Sequence, residues 1–188
     1  SNIEGAARGS DSEKLSTLAK VDVEYNKYVS FTAKIDYTTT SNSGYSSVVN
    51  PFDYAYSTTR TMPAYNEDGS YYMSYRAAGA TNRDYIGYNV LKELDNTGKS
   101  SKMDDFNALL ALRLNLWGGL KYEGTFSWHT GNTSTRDWAT AQSYKVTQIR
   151  GYEYGAYTEY DPEFASSKLP YGGVLTQGNT RKNGYTLR

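Results

Sequence analysis

Phe106 to His129 reads FNALLALRLNLWGGLKYEGTFSWH, two runs of alternating residues joined by a glycine pair. Phe106, Ala108, Leu110, Leu112, Leu114 and Leu116 fall on one face of the first run, and Leu120, Tyr122, Gly124, Phe126 and Trp128 continue it in the second. Opposite them lie Asn107, Arg113, Asn115, Lys121, Glu123, Thr125, Ser127 and His129. Period two with one greasy and one wet face is the pattern of a β-strand. Trp117-Gly118-Gly119 fits a three-residue hairpin loop with glycine in the left-handed position. That loop sets Leu116 against Leu120, and therefore Arg113 against Glu123, Leu110 against Phe126 and Ala108 against Trp128.

The same design occurs earlier in the chain. Ala19, Val21, Val23 and Tyr25 alternate with Lys20, Asp22 and Glu24; after Asn26-Lys27, Val29, Phe31, Ala33, Ile35 and Tyr37 alternate with Ser30, Thr32, Lys34 and Asp36. Both strands put even-numbered residues on the wet face, so the turn around Asn26 to Tyr28 must contain an odd number of residues. The hairpins are expected at about 16–38 and 105–130, with long segments at about 39–104 and 130–182. All the short turns then fall at one end and all the long loops at the other. That asymmetry, with apolar runs of about nine to eleven residues, suits strands of an outer-membrane barrel. A soluble sandwich alternates identically but rarely carries such long loops.

Composition agrees with an all-β chain. Tyrosine supplies 20 of 188 residues, glycine 17, and only 38% are apolar, a mixture that suits strands, turns and wet aromatic surfaces. Lys plus Arg equals Asp plus Glu, 20 each, so no net field draws the chain to nucleic acid. With no cysteine, a disulfide framework, a thiol nucleophile and cysteine-ligated metal are excluded. Neither an export signal nor an apolar run of about 18 residues is evident, so no helical span is expected.

Four strings in the long segments carry a resemblance. They are NPFDYAYSTTRTMPAYNEDGSYYMSY at 50–75, YNVLKELDNTG at 88–98, YEGTFSWHTGNTSTRDWATAQSYKVTQIRGYEYG at 122–155, and LPYGGVLTQGNTRKNGYTLR at 169–188. In this order they resemble the barrel region of SusC/RagA-like TonB-linked outer-membrane proteins, over nearly the whole chain from about Thr17. The resemblance implies a bacterial outer-membrane location and a 22-stranded barrel with a plug domain. It also implies import of oligosaccharides or peptides, energy from the TonB complex, contact with outer-membrane lipid, and a SusD-like surface lipoprotein as lid. The expected fold is an antiparallel meander of four strands and the start of a fifth at Tyr185 to Arg188, part of such a barrel, with long external loops carrying short helices. One helix is expected at Tyr88 to Leu94, stopped by Asn96 and Gly98. Four to five strands cannot close a barrel, so this chain is expected to need the remainder of a longer one.

The rival is a soluble β-rich carbohydrate-binding or adhesin-like module, whose sheet faces would be packed or polar. In water, a lipid-facing surface containing Val21, Phe31, Leu112 and Phe126 is expected to require detergent, self-association or cover from the chain's own loops. No catalytic, cofactor or metal set converges, so an enzyme is not expected. His129, the one histidine, reads as a polar residue of the lumen or rim rather than a ligand. The acid pairs Glu67-Asp68, Asp104-Asp105 and Glu93/Asp95 read as solvated turn formers, and Asn66-Glu67-Asp68-Gly69 as a turn without calcium-loop spacing. Tyr25, Tyr28, Tyr37, Trp117 and Trp128 suit an interfacial girdle. Trp138, Tyr144, Arg150, Tyr152 and Tyr154, with Tyr157, Tyr160, Arg136 and Gln148 nearby, combine flat rings with polar groups, as sugar or peptide sites do. A small core that orders the loop, or a contact with the lid, explains the same composition and is the favoured reading. The first five are the candidate ligand or lid contacts.

Overall fold

The computed structural model describes residues 1–5, 9–59, 61–77 and 85–188. Its frame is a six-stranded antiparallel sheet. In spatial order the strands are β1 (Asn2–Glu4), β2 (Asp11–Asn26), β3 (Val29–Gly44), β6 (Thr97–Asn115), β7 (Lys121–Ala139) and β8 (Val174–Leu187). A separate two-stranded ribbon joins β4 (Ser74–Ala77) to β5 (Tyr85–Tyr88), and four short helices lie in the long connections. The sheet is open, and the chain is all-β in class, a meander with helical turns in its loops.

The register follows from the turns. In the β6–β7 hairpin, Leu116 N–H donates to the Leu120 carbonyl at 2.7 Å, with Gly118 at φ 64° and Gly119 at φ 83°. Arg113 pairs with Glu123, Leu110 with Phe126 and Ala108 with Trp128. The β2–β3 turn is tighter: Lys27 and Tyr28 cross over, and the Asn26 side-chain oxygen accepts from the N–H groups of Tyr28 at 2.8 Å and Val29 at 2.9 Å. A bulge between Glu24 and Asn26 adds one residue to the two of the turn, so even-numbered residues still face even-numbered ones, as in Asp22↔Thr32.

Joined register to register, the strands align their apolar residues into rows. One row runs Val21, Ala33, Leu110, Phe126, Leu187, and the next Ala19, Ile35, Ala108, Trp128, Tyr185. Tyr37 and Phe106 pair in the following row, and there the face changes character: the Tyr37 hydroxyl donates to Asp104 at 3.0 Å and Thr39 to the same carboxylate at 2.7 Å. The opposite face carries Asp22 with Thr32 at 2.6 Å, Arg113 with Glu123 at 2.7 Å and His129 Nδ1 with Asn107 at 2.6 Å.

Both hairpins outrun the expected boundaries of 16–38 and 105–130, and the connections at 45–96 and 140–173 are correspondingly shorter. Beyond the apolar rows both faces are polar, as in Thr38-Thr39-Thr40-Ser41-Asn42-Ser43, so alternation vanishes while threonine keeps its preference for the pleat. The fifth full-length strand likewise starts at Val174, not Tyr185: fourteen residues with no apolar period are held by pairing to β7. β1 was not expected at all.

Among the described residues, no layer covers the sheet. Val21, Phe31, Leu112 and Phe126 are all exposed, and the long loops do not fold over them. Among the described residues the buried apolar side chains are Val49, Ile86, Ala139, Val146 and Tyr152, four of them in the connections and Ala139 at the end of β7. The hydrophobic core therefore lies at the loop end of the sheet.

Candidate functional site

Short helices, three of them with side-chain caps, order this loop end. In α1 (Pro51–Ser57), Asn50 accepts from the N–H groups of Phe52 and Asp53, with proline at the first helical position. In α3 (Tyr144–Arg150), Ser143 caps Val146 N–H and Gly151 ends the helix at φ 93°. α4 (Pro162–Ser166) follows Asp161 and again opens on proline. The helix expected at Tyr88 to Leu94 is α2 (Val90–Asn96): Tyr88 stays in β5, Asn89 is the cap, and the helix runs through Asn96 into β6. Asn89 is buried because its side chain works in both directions. Its oxygen accepts from Leu91 and Lys92 N–H, while its amide donates to the carbonyls of Ala64 and Tyr72 at 2.9 Å each.

Two carboxylates tie the separate connections together. Asp137, on β7, accepts from the hydroxyls of Ser46 at 2.8 Å and Ser47 at 3.0 Å and from Ser47 N–H, with Lys145 Nζ at 3.9 Å. Partial burial opposes its charge, but these donors outweigh that and hold the carboxyl below the usual range. Glu93 on α2 is 2% exposed and accepts from Tyr144 N–H at 2.7 Å, which joins the first long connection to the second. Burial pushes its carboxyl up to about 7, against the Tyr144 hydrogen bond and Lys92; Glu153 adds to the rise. Glu153 itself accepts from Gly87 N–H at 2.8 Å and lies 3.9 Å from Lys92 Nζ. Glu93 is thus not the solvated turn former expected from its sequence, and Asp104 is held by the Tyr37 and Thr39 hydroxyls. Asn66 to Gly69 does form a turn, with Gly69 at φ 82°.

The five candidate contact residues all lie at this end, but not as one cluster. Arg150, Tyr152 and Tyr154 meet: the guanidinium carbon is 5.2 Å from the Tyr154 ring centre and 6.0 Å from that of Tyr152. Tyr152 is buried edge-on against Tyr157 at 4.9 Å, whereas Tyr154 is 53% exposed. Tyr144 packs edge-on against Tyr88 at 5.1 Å, and Tyr88 lies 5.6 Å from Tyr54. Trp138 covers Gly98 across the β6–β7 pair. Tyr160 is almost fully exposed, and Arg136 sits on β7 opposite Ser100 and Gln177. Tyr144, Arg150 and Tyr152 therefore help build the loop core, while Trp138 and Tyr154 keep ring surface open.

An open cavity of about 450 Å³ lies beside α3 and α4, lined by Gln148, Arg150, Tyr152, Tyr157, Glu163 and Lys168 among others. Among the described residues no group of three or more His, Asp or Glu side chains could hold a metal ion. None of the described helices is long and apolar enough to cross a membrane. Sequence reasoning missed Asn89, Glu93, Asp137 and Ser143 as organisers. Asn89 and Ser143 each precede an apolar helical turn and were readable as caps. No protein-family model matches the chain, and no curated protein matches it significantly.

Proposed function

We propose that this chain forms wall strands and external loops of a TonB-dependent outer-membrane nutrient importer of the SusC/RagA-like kind, carrying oligosaccharides or peptides. The resemblance of its loop strings to that family is one support. The observation that carries the reading is the exposed apolar belt. From Leu116 to Phe106 the apolar positions span ten residues, about 33 Å of strand at roughly 3.3 Å each. Tilted by about 40°, that becomes a band of about 25 Å, the height of the lipid-facing zone of outer-membrane barrels. Rings lie toward both ends of it: Trp117, Tyr122 and Tyr25 toward the short turns, Tyr37, Trp128 and Tyr185 toward the long loops. The unpaired edges then belong to neighbouring strands of the barrel, the charged face to its lumen, and the loop end to the outside, where a SusD-like lipoprotein would sit.

A soluble module would cover this face, and the described parts of the chain's own loops leave it open. The test is a pair of arginines in the full-length protein. Leu110 lies in the belt and Leu109 beside it on the charged face, paired with Lys34 and Ser127. In folding titrations into phospholipid vesicles, Leu110→Arg should cost about 2–4 kcal/mol and Leu109→Arg at most about 1 kcal/mol. Equal costs for the two, or full-length protein that stays in the aqueous fraction without detergent, would overturn the reading.

A further inference from the structure

Arg150 is 3% exposed and yet uses only one of its three guanidinium nitrogens. Nη1 donates to the Ala141 carbonyl at 2.9 Å; Nε and Nη2 have no hydrogen-bond partner among the described residues. Among the described residues no carboxylate forms an ion pair with it, although Glu163 lines the same cavity. The two aromatic faces of Tyr152 and Tyr154 offset part of the burial of this charge, but a ring accepts nothing in the plane of the guanidinium. Nε and Nη2 form one edge of the fork, and two parallel N–H groups on one edge match the two oxygens of a carboxylate. Tyr152, which lines the same cavity, also has a buried hydroxyl without a hydrogen-bond partner among the described residues. Lys168 on the wall of the cavity adds a second cation against the one acid, Glu163.

We infer that the cavity beside α3 and α4 binds a carboxylate-bearing ligand, with the Nε/Nη2 edge of Arg150 holding the two oxygens. That edge is closed to water, so binding includes movement of a neighbouring side chain. Of the two rings beside the guanidinium, Tyr154 is half exposed, whereas Tyr152 packs edge-on against Tyr157. A uronic-acid oligosaccharide and the terminus of a short peptide present the same group. The inference deepens the importer reading by giving its cargo an acidic end.

The full-length protein, in the detergent or buffer that keeps it folded, is titrated calorimetrically with digalacturonate and N-acetyl-dialanine. The same titration is made with their neutral derivatives, the methyl ester and the amide. At least one acid should bind at millimolar concentration or below, its neutral derivative about tenfold or more weakly, and Arg150→Lys should lose about the same factor because one ammonium cannot replace a two-pronged edge. Which acid binds separates sugar from peptide. Equal binding of acid and neutral derivative, undiminished binding by Arg150→Lys, or no binding of either acid at millimolar concentration would overturn the inference. Should Arg150→Lys fail to fold, the comparison of acid with neutral derivative on the unsubstituted protein still decides. The vesicle titration of the arginine pair reports on the barrel alone, so the two readings fail separately.

Discussion

Glu93 accepts the backbone N–H of Tyr144 at 2.7 Å, across 51 residues of chain and between two helices that belong to different connections. The buried carboxyl is pushed up to about 7 from 4.5, so the folded chain holds a proton that the unfolded chain releases. Stability contributed by this site is therefore full below about pH 4.5 and falls as pH rises toward 7, by about 3 kcal/mol at most. Lys92 and Glu153 are the charged groups that face it. Hydrogen exchange at the amides of Tyr144 to Arg150, corrected for intrinsic rates, should show protection declining between pH 5 and 8. Glu93→Gln should flatten that profile, since an amide oxygen still accepts from Tyr144 and does not titrate. A profile that is flat in the unsubstituted protein would refute the assignment.

Arg113 and Glu123 form a cross-strand ion pair near the short β6–β7 turn, with Nε to Oε1 at 2.7 Å and both side chains well exposed. Exposed pairs of this kind contribute little, so a double-mutant cycle with Arg113→Ala and Glu123→Ala should give a coupling of about 0.2–1 kcal/mol, reduced by added salt. The pair follows from the turn geometry and serves register more than stability. A coupling above about 3 kcal/mol, the range of broken buried pairs, would mean that this face is far drier than a water-filled lumen allows.

The legible parts of this molecule are those in which adjacent residues carry the information. Period two from Phe106 to Trp128 gave the strands, their faces and, with Gly118-Gly119, the pairing of Arg113 with Glu123. The same alternation at Ala19 to Tyr37 required odd parity in the turn, which the bulge beside Tyr25 provides. The polar extensions were illegible because Thr38 to Ser43 look alike on both faces, and β8 because Gly178, Gly184 and the polar stretch between them give it no pattern of its own. At the loop end, caps such as Asn89 and Ser143 could be read locally. The burial of Glu93 could not, since Tyr144 and Glu153 reach it only through the register of β6 and β7.

Gly98 and Trp138 face each other in the β6–β7 ladder, where the indole lies flat over the glycine. A Cβ built on Gly98 would sit 2.6 Å from Trp138 Cζ2 and 2.8 Å from Nε1, closer than any real carbon contact. Gly98 has no positive φ, so the demand is for space and not for an unusual backbone. Gly98→Ala must therefore push the indole outward, and overpacking of this kind costs about 1–3 kcal/mol. Trp138 stands at 39% exposure in the unsubstituted chain, and displacement moves more of its ring into water. Among the three tryptophans, Trp117 is far more exposed, at 82%, and Trp128 stands at 42% within the apolar belt. With Trp117 and Trp128 replaced by phenylalanine, the remaining indole emission of the Gly98→Ala protein should shift to the red and be quenched more strongly by acrylamide. Trp138→Ala in the same background should suppress most of the stability loss caused by Gly98→Ala, because the two residues act through one contact. Additive losses from the two substitutions would show that Gly98 is required for something other than the ring above it.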